Sequence, residues 1–386
     1  MRSGIFRRIF LRIWYCVLVD ILRDDQVANA DLLVAAREAL GLTQAELAAQ
    51  LTKLAGPGHP VSQGYVSRVE KGALTVAGER LSLFATALES SPALLTSDAK
   101  LWSLGDGCLY HRNRASTKAS TLRQLHARVN LLRLQLRRLA DIAGHPFPKF
   151  TWEPVQVGGF LGPEDGARAV REAFGVGAGP VQSVTAIAER MGALVVALPL
   201  GGSEVDATSL HPPGEPPLFV VNSDVSPERQ RFTMGHEVGH VACVPEGGID
   251  PEEMAQQFAA EFLAPAAQVL ADLKAAPVTP ARLLQLKQTW LISATALLRR
   301  AYDLAVIPES AYRRISAQTS ALGWRKGEPD PLPAERPNLV PALVQRAVTA
   351  AGGEAAAAAA AGTTLSFIRQ LAGLGPIMDE GKCADD

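Results

Sequence analysis

Three residues in one helical turn carry the chemistry that can be read from this chain: His236, Glu237 and His240, within SPERQRFTMGHEVGHVACV, residues 226–244. On a helix a spacing of four stacks both imidazoles on one face. Two neutral ring nitrogens so placed can bind one zinc ion. Glu237 follows the first histidine, which completes H-E-x-x-H with Glu237 as general base. A catalytic zinc takes three protein ligands and one water. The third ligand must therefore come from beyond Pro245-Glu246-Gly247-Gly248, which breaks the helix. Asp250 suits the N-cap of the next helix, and Glu253 suits a capping-box position. That helix carries an apolar stripe of Ala255, Phe258, Ala259, Phe262 and Leu263. Glu252 precedes Ala255 by three and Ala259 by seven, on the inward side, whereas Glu253 lies off the stripe. Glu252 is the expected ligand, with Glu261 in reserve. A lone histidine is more often a packing residue, and H-E-x-x-H also occurs by chance, so the surrounding sequence decides.

Several elements must position that turn. Ser226 suits an N-cap, Pro227 the first helical position and Glu228 the first turn. Ahead of it the pattern predicts helices near 164–174 and 181–191 and strands at 193–198 and 217–222. RFTMGHEVGH followed by EEMAQQFAAEFLAP resembles the ImmA/IrrE family of metallopeptidases over about residues 165–310. The resemblance implies a zincin-like α+β domain and a gluzincin-like site, with His236, His240 and the glutamate at the position of Glu252 as metal ligands. Gln256 stands where that family has Asn or Asp, and Ala264 where it has Met; neither is a ligand position. Zinc would lower the pKa of a bound water toward ~7, and Glu237 would pass its proton to the leaving amine. In related folds a strand edge binds the substrate in extended form. Residues 217–222 are a candidate strand for that role, and His211 a candidate oxyanion stabiliser. Arg229 and Arg231 read as solvated or ion-paired surface charges.

A second constellation lies near the N-terminus. In DLLVAAREALGLTQAELAAQL, residues 31–51, Leu33, Ala36 and Leu40 form a stripe and Gly41 ends the helix. Thr43 and Glu46 form a capping box for the next one. In VSQGYVSRVEKG, residues 61–72, Ser62 is the cap, Val66 and Val69 face inward and Gly72 is the stop. Such a pair can seat its second helix in the major groove, with Gln63, Tyr65, Ser67 and Arg68 facing outward. Gln and Arg pair with adenine and guanine edges, and Gln44 could donate to a phosphate. A helical bundle without DNA contact has the same pattern. The segment resembles the XRE-type repressor domain over about residues 30–95, on LGLTQAELA (40–48) and residues 62–72. The turn TKLAGPGHP, residues 52–60, is longer than usual for that family.

The whole chain sets the limits. It has 386 residues, 47% hydrophobic and 20% charged, with a formal net charge of -1. That length suggests two or three domains, and nothing global points to nucleic acid. Cys16, Cys108, Cys243 and Cys383 are scattered without a CxxC pair, against a disulfide framework and for a reducing cytoplasm. No apolar run reaches the ~20 residues of a membrane span. Residues 1–27 form an amphipathic extension that fits a packing helix, an over-long start or a membrane-surface helix. From Gly107 to Ala140 there are eight Lys/Arg and no acid. That run fits phosphate contact, a dimer helix, or a solvated basic face on a packed helix.

The expected fold is a multidomain α+β chain: an N-terminal all-α helix-turn-helix bundle (28–97), a basic helix and Pro/Gly linker (98–166), a zincin-like α+β metallopeptidase domain (167–275) and a helical C-terminal region (276–386). That last region has a Pro-rich break at 329–341 and a chemically silent alanine run, and reads as a helical support for the peptidase or, over VTPARLLQLKQTWLISATALLRRAYDLAVI, a second helix-turn-helix-like unit. The expected function is a cytoplasmic regulator that binds a double-stranded DNA operator, as a monomer or homodimer. It carries a one-zinc endopeptidase acting on a protein, which the ImmA/IrrE resemblance implies is a repressor. The rival readings are a transcription factor whose peptidase fold senses without cutting, and an antitoxin-like partner of a neighbouring gene product. An intact Glu237 favours the enzyme, since a pure sensor has no use for it.

Overall fold

The computed structural model describes residues 26–102, 109–113, 118–202 and 204–374. Nearly all of the N-terminal amphipathic extension lies outside them, as do Cys16, Cys108 and Cys383. Among the described residues no helix is long and apolar enough to cross a membrane. The chain divides into two compact units: residues 1–103, 118–146 and 341–386, and residues 104–117 and 147–340.

In the first unit α1 (Ala30–Ala39), α2 (Gln44–Ala55), α3 (Gln63–Glu70), α4 (Gly78–Ala87) and α5 (Pro92–Leu95) follow in order. Local chemistry sets their ends. Gly41 at φ +71 closes α1 in the left-handed region where a side chain is strained. Thr43 and Glu46 form the capping box of α2, and Ser62 accepts the Tyr65 amide at the start of α3. Leu32, Leu33, Leu47, Leu51, Val66 and Phe84 make the core. Arg37 links the elements: Nε and Nη2 donate to Glu70 at 2.6 and 3.0 Å, and Nη1 to the Leu42 carbonyl at 2.8 Å.

After β1 (Leu109–Asn113) comes α6 (Ala119–Ile142). Leu125, Val129, Leu132, Leu136 and Leu139 on its apolar face are buried, and Leu122 is half-buried. Two of its cations act inside the fold. Arg128 donates at 2.8 Å to the Ala39 carbonyl at the end of α1, and buried Arg133 donates at 2.7 Å to the Lys100 carbonyl. Both satisfy carbonyls that a helix end or a loop leaves open.

The second unit contains β2 (Val155–Val157), α7 (Pro163–Ala173), α8 (Val184–Arg190), β3 (Leu194–Leu198), β4 (Val205–Leu210), β5 (Leu218–Asn222), α9 (Pro227–Ala242), β6 (Cys243–Pro245), α10 (Pro251–Leu263), α11 (Ala266–Lys274), α12 (Pro280–Trp290), α13 (Ala294–Asp303) and α14 (Glu309–Ala321). Its main sheet runs β1-β4-β5-β3. β3 is parallel to β5, whereas β4 is antiparallel to both β5 and β1. The strand expected at 217–222 is thus central, with both edges paired, and cannot receive an added peptide. Asn222 fixes the entry to β4: fully buried, it donates to the carbonyls of Gly202 (2.6 Å) and Val205 (2.7 Å) and accepts from Leu200 and Asp224. α12 and α13 pack into the core of this unit through Leu283, Leu286, Trp290, Leu297 and Leu298, which is the supporting role expected of them.

The Pro-rich stretch is a strap rather than a break. Glu335 accepts from the Ser183 hydroxyl and the amides of Val184 and Thr185 at the start of α8, and it pairs with Arg231 of α9. Arg231 is buried, not solvated, and also donates to the carbonyls of Val181 and Leu291. Glu228 of α9 accepts the Leu332 amide at 2.8 Å and pairs with buried Lys287 at 2.7 Å. Beyond the strap, α15 (Leu339–Ala351), α16 (Glu354–Ala361) and α17 (Leu365–Leu371) complete the first unit. The expected C-terminal region, 276–386, is therefore shared between the units. Its alanine run is structural: Ala357, Ala358 and Ala361 are buried, and Arg138 of α6 donates to the Ala360 carbonyl.

Removing one member of a buried ion pair leaves an uncompensated charge, at a cost of about 3–5 kcal/mol. Glu335→Ala is expected to destabilise the second unit by that order, read as a lower denaturation midpoint at an unchanged m-value. A shift below about 0.5 kcal/mol would show that the strap is not anchored through this pair.

Candidate metal centre and nucleic-acid interface

The candidate metal-site residues come from two helices that must approach closely. Ser226 caps α9 and Pro227 occupies its first turn, as the sequence predicts. Gly235 and Gly239 face α10. A Cβ on Gly239 would lie 3.1 Å from the Ala255 Cα and 3.1 Å from the Phe258 ring, and one on Gly235 3.4 Å from Leu263. The missing side chains let α10 pack tightly, with Phe258 and Phe262 fully buried and stacked at 5.6 Å. Asp250 caps α10 and accepts the Glu252 amide at 2.8 Å.

That packing brings three groups to one point. The imidazoles of His236 and His240 stand 85° apart with centroids at 4.8 Å. Their Nε2 atoms are 3.2 Å apart. Glu252 places Oε2 3.1 Å from His236 Nε2 and Oε1 3.3 Å from His240 Nε2. A tetrahedral zinc with bonds of about 2.0–2.1 Å has ligand–ligand edges of about 3.3 Å, so two imidazole nitrogens and a carboxylate at these separations fit such an ion and leave one coordination position. Hydrogen bonds from His236 and then His240 hold the Glu252 carboxyl well below the usual carboxylate range. Both rings are buried, while the Glu252 side chain is 57% exposed. The site therefore opens to solvent on the glutamate side.

Glu261, the reserve ligand, is elsewhere. It is buried, pairs with Arg300 and Arg168 and accepts the Ala266 amide at 3.0 Å. Glu237 is buried beside His236, and its Oε2 accepts a 2.5 Å hydrogen bond from the Ser209 hydroxyl on β4. Sequence reasoning missed both Ser209 and β4. His211 follows β4, its ring edge-on to Phe219 at 5.7 Å. Burial, with a smaller effect of His240, pushes it down to about 3, so the ring is neutral at physiological pH. Arg229 pairs with Asp206 of β4 at 2.5 Å, as an ion-paired reading allows. An open cleft of about 1400 Å³ lies between the start of α9, α10 and α13, and none of the metal-site residues lines it.

On α3, Gln63 and Arg68 are exposed and Ser67 is half-buried. Gln63 donates to Gln44 Oε1 at 2.7 Å, and Gln44 donates to Glu70 at 2.9 Å. A chain Arg37–Glu70–Gln44–Gln63 thus orients the outermost glutamine from the core outward. Tyr65 differs from expectation. It is half-buried, 6.4 Å from Phe84 and under Arg80 at 5.2 Å. Its buried hydroxyl finds no hydrogen-bond partner among the described residues, so the ring serves packing first.

Residues 188–302 match the family described as the IrrE N-terminal-like domain. Residues 33–95 match a helix-turn-helix family. No curated protein matches the chain. The chain therefore joins a helix-turn-helix domain of DNA-binding type to a metallopeptidase-type domain. The first of these spans α1–α5; the second spans β3 to α13 and includes His236, Glu237, His240 and Glu252.

Metal analysis separates these roles. His240→Ala and Glu252→Ala are expected to lower metal affinity by more than about 100-fold, beyond the ~10–100-fold typical of losing a group that only orients a ligand. Glu261→Ala is expected to keep the metal and lose stability. Gly239→Ala is expected to weaken the metal by wedging α10 away while helical content holds. Equal metal content in the wild type and Glu252→Ala would exclude Glu252 as a ligand.

Proposed function

We propose that this protein is a transcriptional regulator that carries its own zinc-dependent endopeptidase, with one zinc held by His236, His240 and Glu252. The observation that carries the reading is the convergence of three ligand atoms at 3.1–3.3 Å beside a buried, hydrogen-bonded Glu237. When bound, zinc supplies a water acidic enough to be deprotonated near neutral pH and polarises the scissile carbonyl. Glu237 is the general base: it takes the water's proton and later delivers it to the departing amine. Ser209 holds one Glu237 oxygen, leaving the other for that proton. Water adds to the carbonyl carbon, the C–N bond breaks, and a carboxylate and an amine leave. The substrate is a protein segment in extended form, and a repressor is the leading candidate because that is what the ImmA/IrrE resemblance implies. A regulator that only senses has no need of a carboxylate fixed at this point, and the Ser209 contact therefore favours cutting.

The helix-turn-helix domain is proposed to bind a double-stranded operator with α3 in the major groove. Gln63 and Arg68 read base edges, Ser67 assists them, and Gln44 contacts a phosphate at the start of α2.

Glu237→Gln is expected to cut hydrolysis of a protein substrate by about 10²–10⁴-fold while metal content and operator binding stay at wild-type levels. Undiminished hydrolysis would refute the base assignment. On a selected operator, Gln63→Ala and Arg68→Ala should each cost about 1–3 kcal/mol and relax preference at one base position, measured by competition against single-base operator variants. Uniform weakening across all sequences would reassign these side chains to the phosphate backbone.

A further inference from the structure

We infer that β1 is a resident occupant of the edge on which the peptidase site would receive its substrate strand, so that β1 and a substrate strand exclude each other on β4. The inference rests on the peptidase reading above and adds its regulation. β4 is the strand beside the catalytic turn, because Ser209 within it touches Glu237 at 2.5 Å. One edge of β4 pairs with β5, and the other carries β1 in antiparallel register. Tyr110 stands opposite Ser209 and Leu109 opposite Leu210. Opposed residues in an antiparallel pair have Cα atoms about 4.5–5.5 Å apart. The β1 backbone thus runs within one strand spacing of the residue that holds the general base.

A strand edge offers a single row of amides and carbonyls. An added peptide and β1 would bond to the same groups of β4, so each excludes the other. β1 is short and irregular. It spans Leu109–Asn113, and its register slips between Arg112 and Asn113, which interrupts the ladder.

Successive strand amides alternate between facing the partner strand and facing away. Replacing two neighbours, Tyr110→Pro with His111→Pro, removes a ladder donor whichever one faces β4. A second variant replaces residues 109–113 with Gly-Ser-Gly-Ser-Gly, which disfavours pairing without proline geometry. In EDTA-treated full-length protein, hydrogen exchange over residues 205–210 is expected to accelerate at least about tenfold in both variants. A fluorescein-labelled peptide copying residues 109–117 (LYHRNRAST) is expected to bind both variants at least about tenfold more tightly than wild type, read by anisotropy. Exchange and binding unchanged from wild type in both variants would overturn the inference. So would faster exchange without tighter peptide binding, since β1 would then cover the edge without competing for it. Neither readout needs metal or turnover. A protein that passes both yet hydrolyses nothing would sink the peptidase reading alone, and one that fails both yet loses hydrolysis on Glu237→Gln would sink this inference alone.

Discussion

The close approach of α9 and α10 is the constraint on which the site depends. Two imidazoles one helical turn apart define only an edge of a metal polyhedron. Glu252, the proposed third ligand, reaches them because Gly235 and Gly239 present no side chain to α10, so Ala255 and Phe258 pack against the backbone of α9. Close packing tolerates little displacement. A shift of α10 by a few tenths of an ångström would be felt at Glu252, which sits in the first turn of that helix. The Asp250 cap and the buried Phe258 and Phe262 fix the helix at that spacing.

Around this contact the unit keeps several charges out of water. Arg231, Glu228 and Lys287 are buried with partners on three different segments. Breaking such pairs is costly, yet their net contribution to stability is small; what they add is placement. Arg231 and Glu228 sit on α9, one to two turns before His236, and bind the strap and the α12 region. The metal helix is thereby held from both ends, by tight packing near His240 and by ion pairs near its start.

Legibility in the sequence followed range. Features decided within a few residues were readable: the Thr43–Glu46 capping box, the caps at Ser62, Ser226 and Asp250, the stop at Gly41, and His236, Glu237 and His240 on one turn. The nearness of Glu252 to the two histidines was reachable from its offset to the α10 stripe, although its side chain is exposed rather than inward. β4 was not, since VDATSL is polar at its centre and is buried on both faces only after folding. Ser209 was hidden with it; a short Ser/Thr-containing segment between two apolar strands is the one signal that could have pointed there. The strap and the return of the last helices to the first unit depend on contacts more than 100 residues apart, such as Glu335 with Arg231 and Arg138 with Ala360. No local pattern encodes these. Tyr65 was misjudged because helical periodicity places a residue on a face but does not say how far an aromatic ring folds back onto the bundle.

X-ray absorption on the zinc-loaded full-length protein is the most direct test of the central claim. The account predicts a zinc shell of nitrogen and oxygen at about 2.0–2.1 Å with imidazole outer-shell scattering from two rings and no sulfur at ~2.3 Å, and a first shell that loses one light-atom ligand in Glu252→Ala. A sulfur shell, or a zinc spectrum without imidazole scattering, would contradict it.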